Sequence, residues 1–335
     1  MLKIGIIGSG FGQYGLFPAF NSVAGCEVVA ICGEQRQQAV AYCESIGFEN
    51  IYTDWKLLLE NEKLDAVALA VTPRAQYTIA KAAIMKGLHV FAEKPLAANL
   101  LQARELLLLA KKKNITHGID FIFPEIAEWK KVKALLDHKI LGRLQHISVN
   151  WDFISYDIKN KKSSWKTRVA DGGGALSFFF SHGLYYLEHF AGNISDVRSL
   201  FTYSKESING GEVGVDMVLK FTNGVAGYAH VRCDCQNFTR HQLMFQCERG
   251  MIVLENKNSV VDNFTVTLHG KNGIKQLKVR GDTGLKNEDE RVKIVRKLAA
   301  RFVHACIHHQ STHPSFSEGA RVQELIEKIR LEKIR

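Results

Sequence analysis

The sequence predicts two domains: first a parallel, doubly wound α/β domain, then an α+β domain whose strands run mostly antiparallel. Three observations carry this. Up to about residue 120, short apolar runs alternate with stretches of helical spacing, the pattern of strands buried on both faces and covered by helices. Beyond that point several strands follow one another directly through turns. The chain has 335 residues, 46% of them apolar, enough for two cores at about 150 residues each.

The elements follow in order. Residues 3–8 (KIGIIG) read as a buried strand ending in glycine, with Pro18–Val23 in the helix after it. Residues 27–32 (EVVAIC) form a second strand, and 35–46 a helix stopped before Gly47. Residues 65–71 (DAVALAV) form a third strand, ended by Thr72-Pro73, with a helix over 77–86 closed by Gly87. Residues 89–92 (HVFA) are a fourth strand, 100–113 a helix and 115–121 a fifth strand. The second part begins with a helix over 125–138 and a strand over 142–151. A helix over 175–190 follows Gly172-Gly173-Gly174. From 197 to 280 strands succeed one another in meander order. Asn223-Gly224 between VDMVLKFT and VAGYAHVRC is a hairpin signal, and Arg249-Gly250 and Asn272-Gly273 mark further turns. Helices over 292–309 and 317–329 close the sequence.

Composition excludes several functions. The charge is 44 − 34 = +10, but the run Lys111-Lys112-Lys113 falls at a helix end, where cations complement the dipole. No basic–aromatic motif supports a nucleic-acid partner. No apolar run approaches the roughly 18 residues of a membrane span, and the first residues lack the apolar core and cleavage site of a secretory leader, so a cytoplasmic protein is expected. The seven cysteines include no CxxC pair; reduced thiols and no bound metal are expected.

Three motifs carry chemistry. Gly8-Ser9-Gly10-Phe11-Gly12 follows the first strand and opens a helix. There Gly8 permits the tight turn and Gly10 lets the backbone approach a pyrophosphate held at the helix N-terminus. At the end of the second strand, where a carboxylate would bind the adenosine ribose, stands Gly33, followed by Glu34 and Arg36. Without the carboxylate, an arginine can face a 2′-phosphate, so the reading leans slightly to NADP over NAD. The second motif, Glu93-Lys94-Pro95, lies just past the fourth strand. Its proline biases Lys94 away from helical geometry, which points the lysine from the edge where ligands bind in open α/β sheets. The third is Gly172-Gly173-Gly174-Ala175-Leu176 with Ser181-His182 downstream.

Together GIIGSGFG, TPRAQ, FAEKPLA, GGGAL with its following SH, and PSFSEGARVQELI resemble the Gfo/Idh/MocA oxidoreductases over essentially the whole chain. The resemblance implies a Rossmann domain over 1–120 binding NAD or NADP. It also implies a substrate-binding and oligomerising domain over 121–335 with a large, mostly antiparallel sheet, its C-terminal helix free to pack back on the first domain. It implies hydride transfer to or from a secondary alcohol or ketone of a sugar, polyol or nucleotide sugar, and a homodimer or homotetramer. The family's active-site lysine falls on Lys94 and its histidine on His182. In this reading His182 exchanges the hydroxyl proton and Lys94 stabilises negative charge on the same oxygen. Thr72, Pro73 and Glu93 line the nicotinamide side, and Asp120, Trp165, Lys166 and Tyr186 are candidates for the substrate pocket. The chain departs from the family pattern at Gln13 and Gly33, at Gln76 where a histidine is frequent, and at Phe178, where an acidic residue often precedes the histidine by four. The last departure keeps two other readings open: a non-catalytic regulatory protein binding NAD(P) and a sugar, and a redox-neutral glycosidase with tightly held NAD.

Overall fold

The computed structural model describes residues 1–33, 43–204 and 210–332. The helix expected over 35–46 therefore lies largely outside the described residues, as do Glu34 and Arg36. The chain divides into two compact units, Met1–Ile122 with Thr283–Gln323, and Phe123–Asp282 with Glu324–Arg335. The sequence reading places 121–335 in one domain with its C-terminal helix free to pack back on the first; in the structure the segment holding the helix Val292–Ile307 groups with the first unit.

The first unit is built on six parallel strands: β1 Leu2–Ile7, β2 Cys26–Cys32, β3 Ile51–Tyr52, β4 Ala66–Leu69, β5 His89–Ala92 and β6 His117–Ile119. Their order is β3-β2-β1-β4-β5-β6. Ile4, Ala30, Ala66, Val67, Ala68, Leu69, Val90 and Ala92 are wholly buried, which is why these strands read as unbroken apolar runs. Helices Pro73–Met85 and Leu100–Lys112 start on caps that their sequence supplies. Thr72 Oγ1 accepts from Ala75 N at 3.5 Å, and Asn99 Oδ1 accepts from Gln102 N at 3.0 Å. Lys111 and Lys112 occupy the last turn of the second, as the dipole argument requires. The returning helix Val292–Ile307 closes this core: Phe302 meets Phe20 and Phe91 edge-on, with centroids 6.1 and 5.6 Å away. Each buried ring contributes on the order of 2–3 kcal/mol by area.

The second unit carries eight strands: β7 Leu144–Asp152, β8 Ile194–Thr202, β9 Gly214–Phe221, β10 Ala226–Arg232, β11 Arg240–Cys247, β12 Gly250–Asn256, β13 Thr265–Gly270 and β14 Gly273–Leu277. The hairpin expected at Asn223-Gly224 joins β9 to β10, and Gly224 takes the left-handed backbone it needs at φ 86°. The sheet is not the simple meander that was expected. Its order is β14-β13-β12-β11-β7-β10-β9-β8, with β7 inserted between β11 and β10 and parallel to β10. That pairing joins residues some 80 positions apart, which turn signals cannot reveal. Alternation puts Val149, Val215, Ala229, Leu243 and Ile252 on the buried face. The opposite face holds a polar cluster in which the His230 ring lies between Asp216 (2.8 Å) and Asp152 (3.0 Å), and Arg240 holds Asp152.

Candidate active site

In the first unit the sequence motifs meet at the carboxyl edge of the parallel sheet. Gly8 has φ 145°, and a Cβ there would stand 2.8 Å from the Ala70 carbonyl carbon. The fold therefore demands glycine. Gly10 differs: a Cβ there would meet nothing within 4 Å, so the protein itself places no demand on it. The loop continues into a π-helical turn, Gly12–Leu16, with Gln13 N donating to Gly10 O at 2.9 Å. Buried Gln13 stands where a third glycine or alanine was the expected pattern. Gly33 also has a local cause: a Cβ would lie 2.9 Å from Ser9 N and Cα, so no carboxylate fits there unless the loop shifts.

Past β5, Glu93 N donates to Leu69 O at 2.9 Å, and Glu93 Oε2 accepts from Lys94 N at 3.0 Å. Gln76, on the helix that Thr72 caps and Pro73 begins, anchors this loop. Its Nε2 donates to Glu93 O (2.6 Å), Pro95 O (3.0 Å) and Leu96 O (3.1 Å). Asp120 follows β6, with its N donating to Ala92 O at 2.9 Å. It is 3% exposed. Burial above all, then the adjacent Glu93, pushes its carboxyl well above the usual carboxylate range, while Lys94 and Arg291 pull the other way.

Arg291 was missed by the sequence reading. It comes from the returning segment, is held by Asp289 through Nε and Nη2 at 2.8 Å each, and stacks 4.3 Å from the centroid of Phe11 in the glycine loop. Phe11 in turn lies on Gly15, whose Cβ would come within 2.6 Å of the ring. An arginine more than 270 residues from the loop leaves no local signal.

In the second unit, the segment before His182 is a π-helical turn, Ala175–Phe179, followed by the helix Ser181–Ala191, rather than one helix over 175–190. The glycines are required. A Cβ on Gly173 would stand 2.6 Å from Lys166 C, and one on Gly174, at φ 97°, 2.5 Å from the Glu212 carboxylate carbon. Buried Glu212 organises the turn: Leu176 N donates to its Oε1 at 3.2 Å, and Arg330 pairs with it at 3.3 Å. Arg330 also donates to Gly173 O and Ser177 Oγ. Glu212 and Arg330 were likewise missed.

Phe178 is packed by the Trp165 ring at 5.1 Å and by the Lys166 ammonium 5.0 Å from its centroid, so these three form one local cluster. The His182 ring is buried and meets Phe123 edge-on at 5.0 Å. Tyr186 is fully buried between Trp129 and Phe123, and its hydroxyl lies 3.1 Å from His241 Nε2. Burial holds His241 at about 3, so its ring is neutral and shares a hydrogen bond with the Tyr186 hydroxyl whose direction its tautomer sets. Among the described residues no cluster of three or more His, Cys, Asp or Glu could hold a metal, and no helix is long and apolar enough to cross a membrane.

A parallel sheet in this order, with a glycine turn after its first strand, defines a dinucleotide-binding domain, here joined to a large, mostly antiparallel second sheet. The chain belongs to the Gfo/Idh/MocA oxidoreductase family. The family's NAD-binding Rossmann fold matches residues 2–121 and its C-terminal domain matches 129–253. It is 33% identical over 186 residues to an uncharacterized oxidoreductase of Synechocystis sp., covering 56% of this chain and 50% of the relative. It is 26% identical over 260 residues to the levoglucosan dehydrogenase of Pseudarthrobacter phenanthrenivorans, covering 68% and 66%. The matches thus span about half to two thirds of these relatives' length. In fold it is similar to levoglucosan dehydrogenase in complex with NADH and L-sorbose (TM-score 0.84, 20% identity, 99% and 96% covered). It is also similar to a 3-ketoreductase from Actinomadura kijaniata in complex with NADP and TDP-benzene (TM-score 0.81, 19% identity, 99% and 98% covered).

Proposed function

We propose that the protein is an NAD(P)-dependent oxidoreductase that moves a hydride to or from a secondary alcohol or ketone of a sugar, polyol or nucleotide sugar. The observation that carries the coenzyme is the contrast within the glycine loop: Gly8 is required by the protein's own backbone, whereas the space over Gly10 fits a bound pyrophosphate. Ser9, Phe11 and Gly12 complete the cradle, with Gly33 beside it and Thr72, Pro73 and Glu93 towards the nicotinamide. When bound, the nicotinamide supplies the hydride acceptor or donor. Lys94 stabilises charge on the reacting oxygen and His182 exchanges its proton, the roles implied by the family. The curated relatives' names, among them levoglucosan, D-xylose and dTDP-sugar enzymes, support the substrate class. We assign Asp120 and the Trp165–Lys166 cluster to substrate or coenzyme contacts, and Tyr186 to packing beneath His182. Gly33 and Arg36 favour NADP; tighter binding of NAD would overturn that choice. The open face of the second sheet is assigned to contact with a second copy of the chain in a homodimer or homotetramer, which a monomeric mass by light scattering would refute.

The test is a screen of sugars and nucleotide sugars with both coenzymes, read at the reduced-coenzyme absorbance. With a substrate in hand, Lys94→Ala and His182→Ala should each lower turnover by about 100-fold or more. Full activity in both variants overturns the mechanism. Coenzyme and sugar binding without turnover replaces it with a regulatory role. Retained coenzyme with turnover but no net absorbance change indicates a redox-neutral glycosidase.

A further inference from the structure

At the carboxyl edge of the first sheet, two acids stand side by side on neighbouring strand ends. Ala92 and Ile119 are partners in the β5–β6 ladder, and Asp120 N continues it by donating to Ala92 O at 2.9 Å. Glu93 and Asp120 directly follow these paired residues, so their side chains leave neighbouring ends of adjacent parallel strands. Neighbouring carboxyl groups can hydrogen-bond to one another only by sharing a proton, because two carboxylates offer only acceptors. Glu93 is further constrained by the Lys94 N–H on its Oε2. Asp120 Oδ1 is buried and has no hydrogen-bond partner, so one face of the pair is left for something else to meet.

Strand order locates that something. The pyrophosphate cradle follows β1 and the adenosine end of a dinucleotide lies over β2. The sheet order places β4, β5 and β6 on the other side of β1, so the nicotinamide end extends towards Glu93 and Asp120. This step rests on the coenzyme reading above. The two redox states of that ring differ by one positive charge. The other charged groups acting on Asp120 are Lys94 and Arg291, both cations already, so an oxidised ring adds to a field that disfavours the proton.

We propose that the Asp120–Glu93 pair is a charge-responsive proton site: it holds one proton when the protein is free or carries reduced coenzyme, and releases it to solvent when oxidised coenzyme binds. No covalent bond to the coenzyme is involved; an O–H bond of the pair breaks and the proton leaves to water or buffer. The pair thus goes from monoanion to dianion when the neighbouring ring is cationic, and takes a proton back from solvent once the ring has been reduced. Burial, which pushes the Asp120 carboxyl well above the usual carboxylate range, supports this. By linkage, a site that loses a proton on binding makes the affinity for oxidised coenzyme rise with pH, by up to about tenfold per unit across its titration, while affinity for the reduced form stays level.

The test uses the full-length protein and needs no substrate. Coenzyme loading is first followed by fluorescence titration. Proton release is then counted with an indicator dye in weak buffer, and by calorimetry in two buffers of different ionisation enthalpy. The expected result is release with oxidised coenzyme, none with reduced coenzyme, and no release from a loaded Asp120→Asn variant. Should that variant fail to fold, infrared difference spectra of the wild type serve instead, with a protonated-carboxyl C=O band lost on binding the oxidised form alone. Binding of oxidised coenzyme with no proton release, or release that persists in Asp120→Asn, overturns this inference and leaves the coenzyme reading intact. Failure of both coenzymes to bind overturns both.

Discussion

Substituting Gly8 and Gly10 separately should split the glycine loop into a part that serves the fold and a part that serves the ligand. At Gly8 a Cβ would be forced against the Ala70 carbonyl, on a backbone at φ 145° that L-residues rarely adopt. The unusual backbone costs about 1–3 kcal/mol and the overlap with a carbonyl fixed in the sheet about 1–3 kcal/mol more, together a large share of the roughly 5–15 kcal/mol that stabilises a typical protein. Gly10 has neither obstacle, since nothing lies within 4 Å. Gly10→Ala should leave stability unchanged or raise it by about 0.4–1 kcal/mol, through a less flexible unfolded chain. Gly10→Val places its branch in the space that the proposed function gives to the pyrophosphate. The same overpacking scale of about 1–3 kcal/mol then weakens Kd by roughly 5- to 150-fold. Urea unfolding and coenzyme titration on all three variants make the assay. The reasoning fails if Gly8→Ala is as stable as the parent, or if folded Gly10→Val binds both coenzymes with unaltered affinity.

Two further outcomes are expected. Glu212→Gln removes the charge that pairs with Arg330 and receives Leu176 N. It should cost about 3 kcal/mol, the low end for breaking a buried pair, and an unshifted urea midpoint would remove Glu212 from its role in ordering the turn before His182. Burial holds His117 and His189 at about 4 and His241 at about 3, below the ordinary 6.5. On acidification the unfolded chain takes up these protons first, so the stability they contribute is intact above about pH 6.5 and is lost as pH falls towards 4; a flat unfolding free energy across that window would contradict it.

The parallel sheet was legible because its strands are buried on both faces: VVAIC, AVALAV and HVFA leave little but strand to read. The same logic hides β3, whose two residues are too short to show a pattern. The helix Trp55–Asn61 was overlooked although Asp54 caps it, with Lys56 N donating to its carboxylate at 2.9 Å. Lys94, His182 and the two glycine runs stand out in the sequence because each sits in a compact motif. Arg291 on Phe11, Arg330 on Glu212, and β7 beside β10 were not, because each joins stretches far apart in the chain and depends on the finished fold. The helix expected through residue 178 also hid a local fact: the turn there is π-helical, and Phe178 packs on Trp165 and Lys166 instead of occupying a regular helical face.

The loop that bears Lys94 is fastened by one neutral side chain. Three carbonyls converge on the Gln76 amide, and an amide keeps the same charge from strongly acidic to strongly alkaline solution. A histidine in its place would change protonation near neutrality and could loosen the loop in step with the chemistry it supports. With glutamine there, acidity and ionic strength leave the fastening alone. A pH–rate profile would then carry no contribution from this fastening.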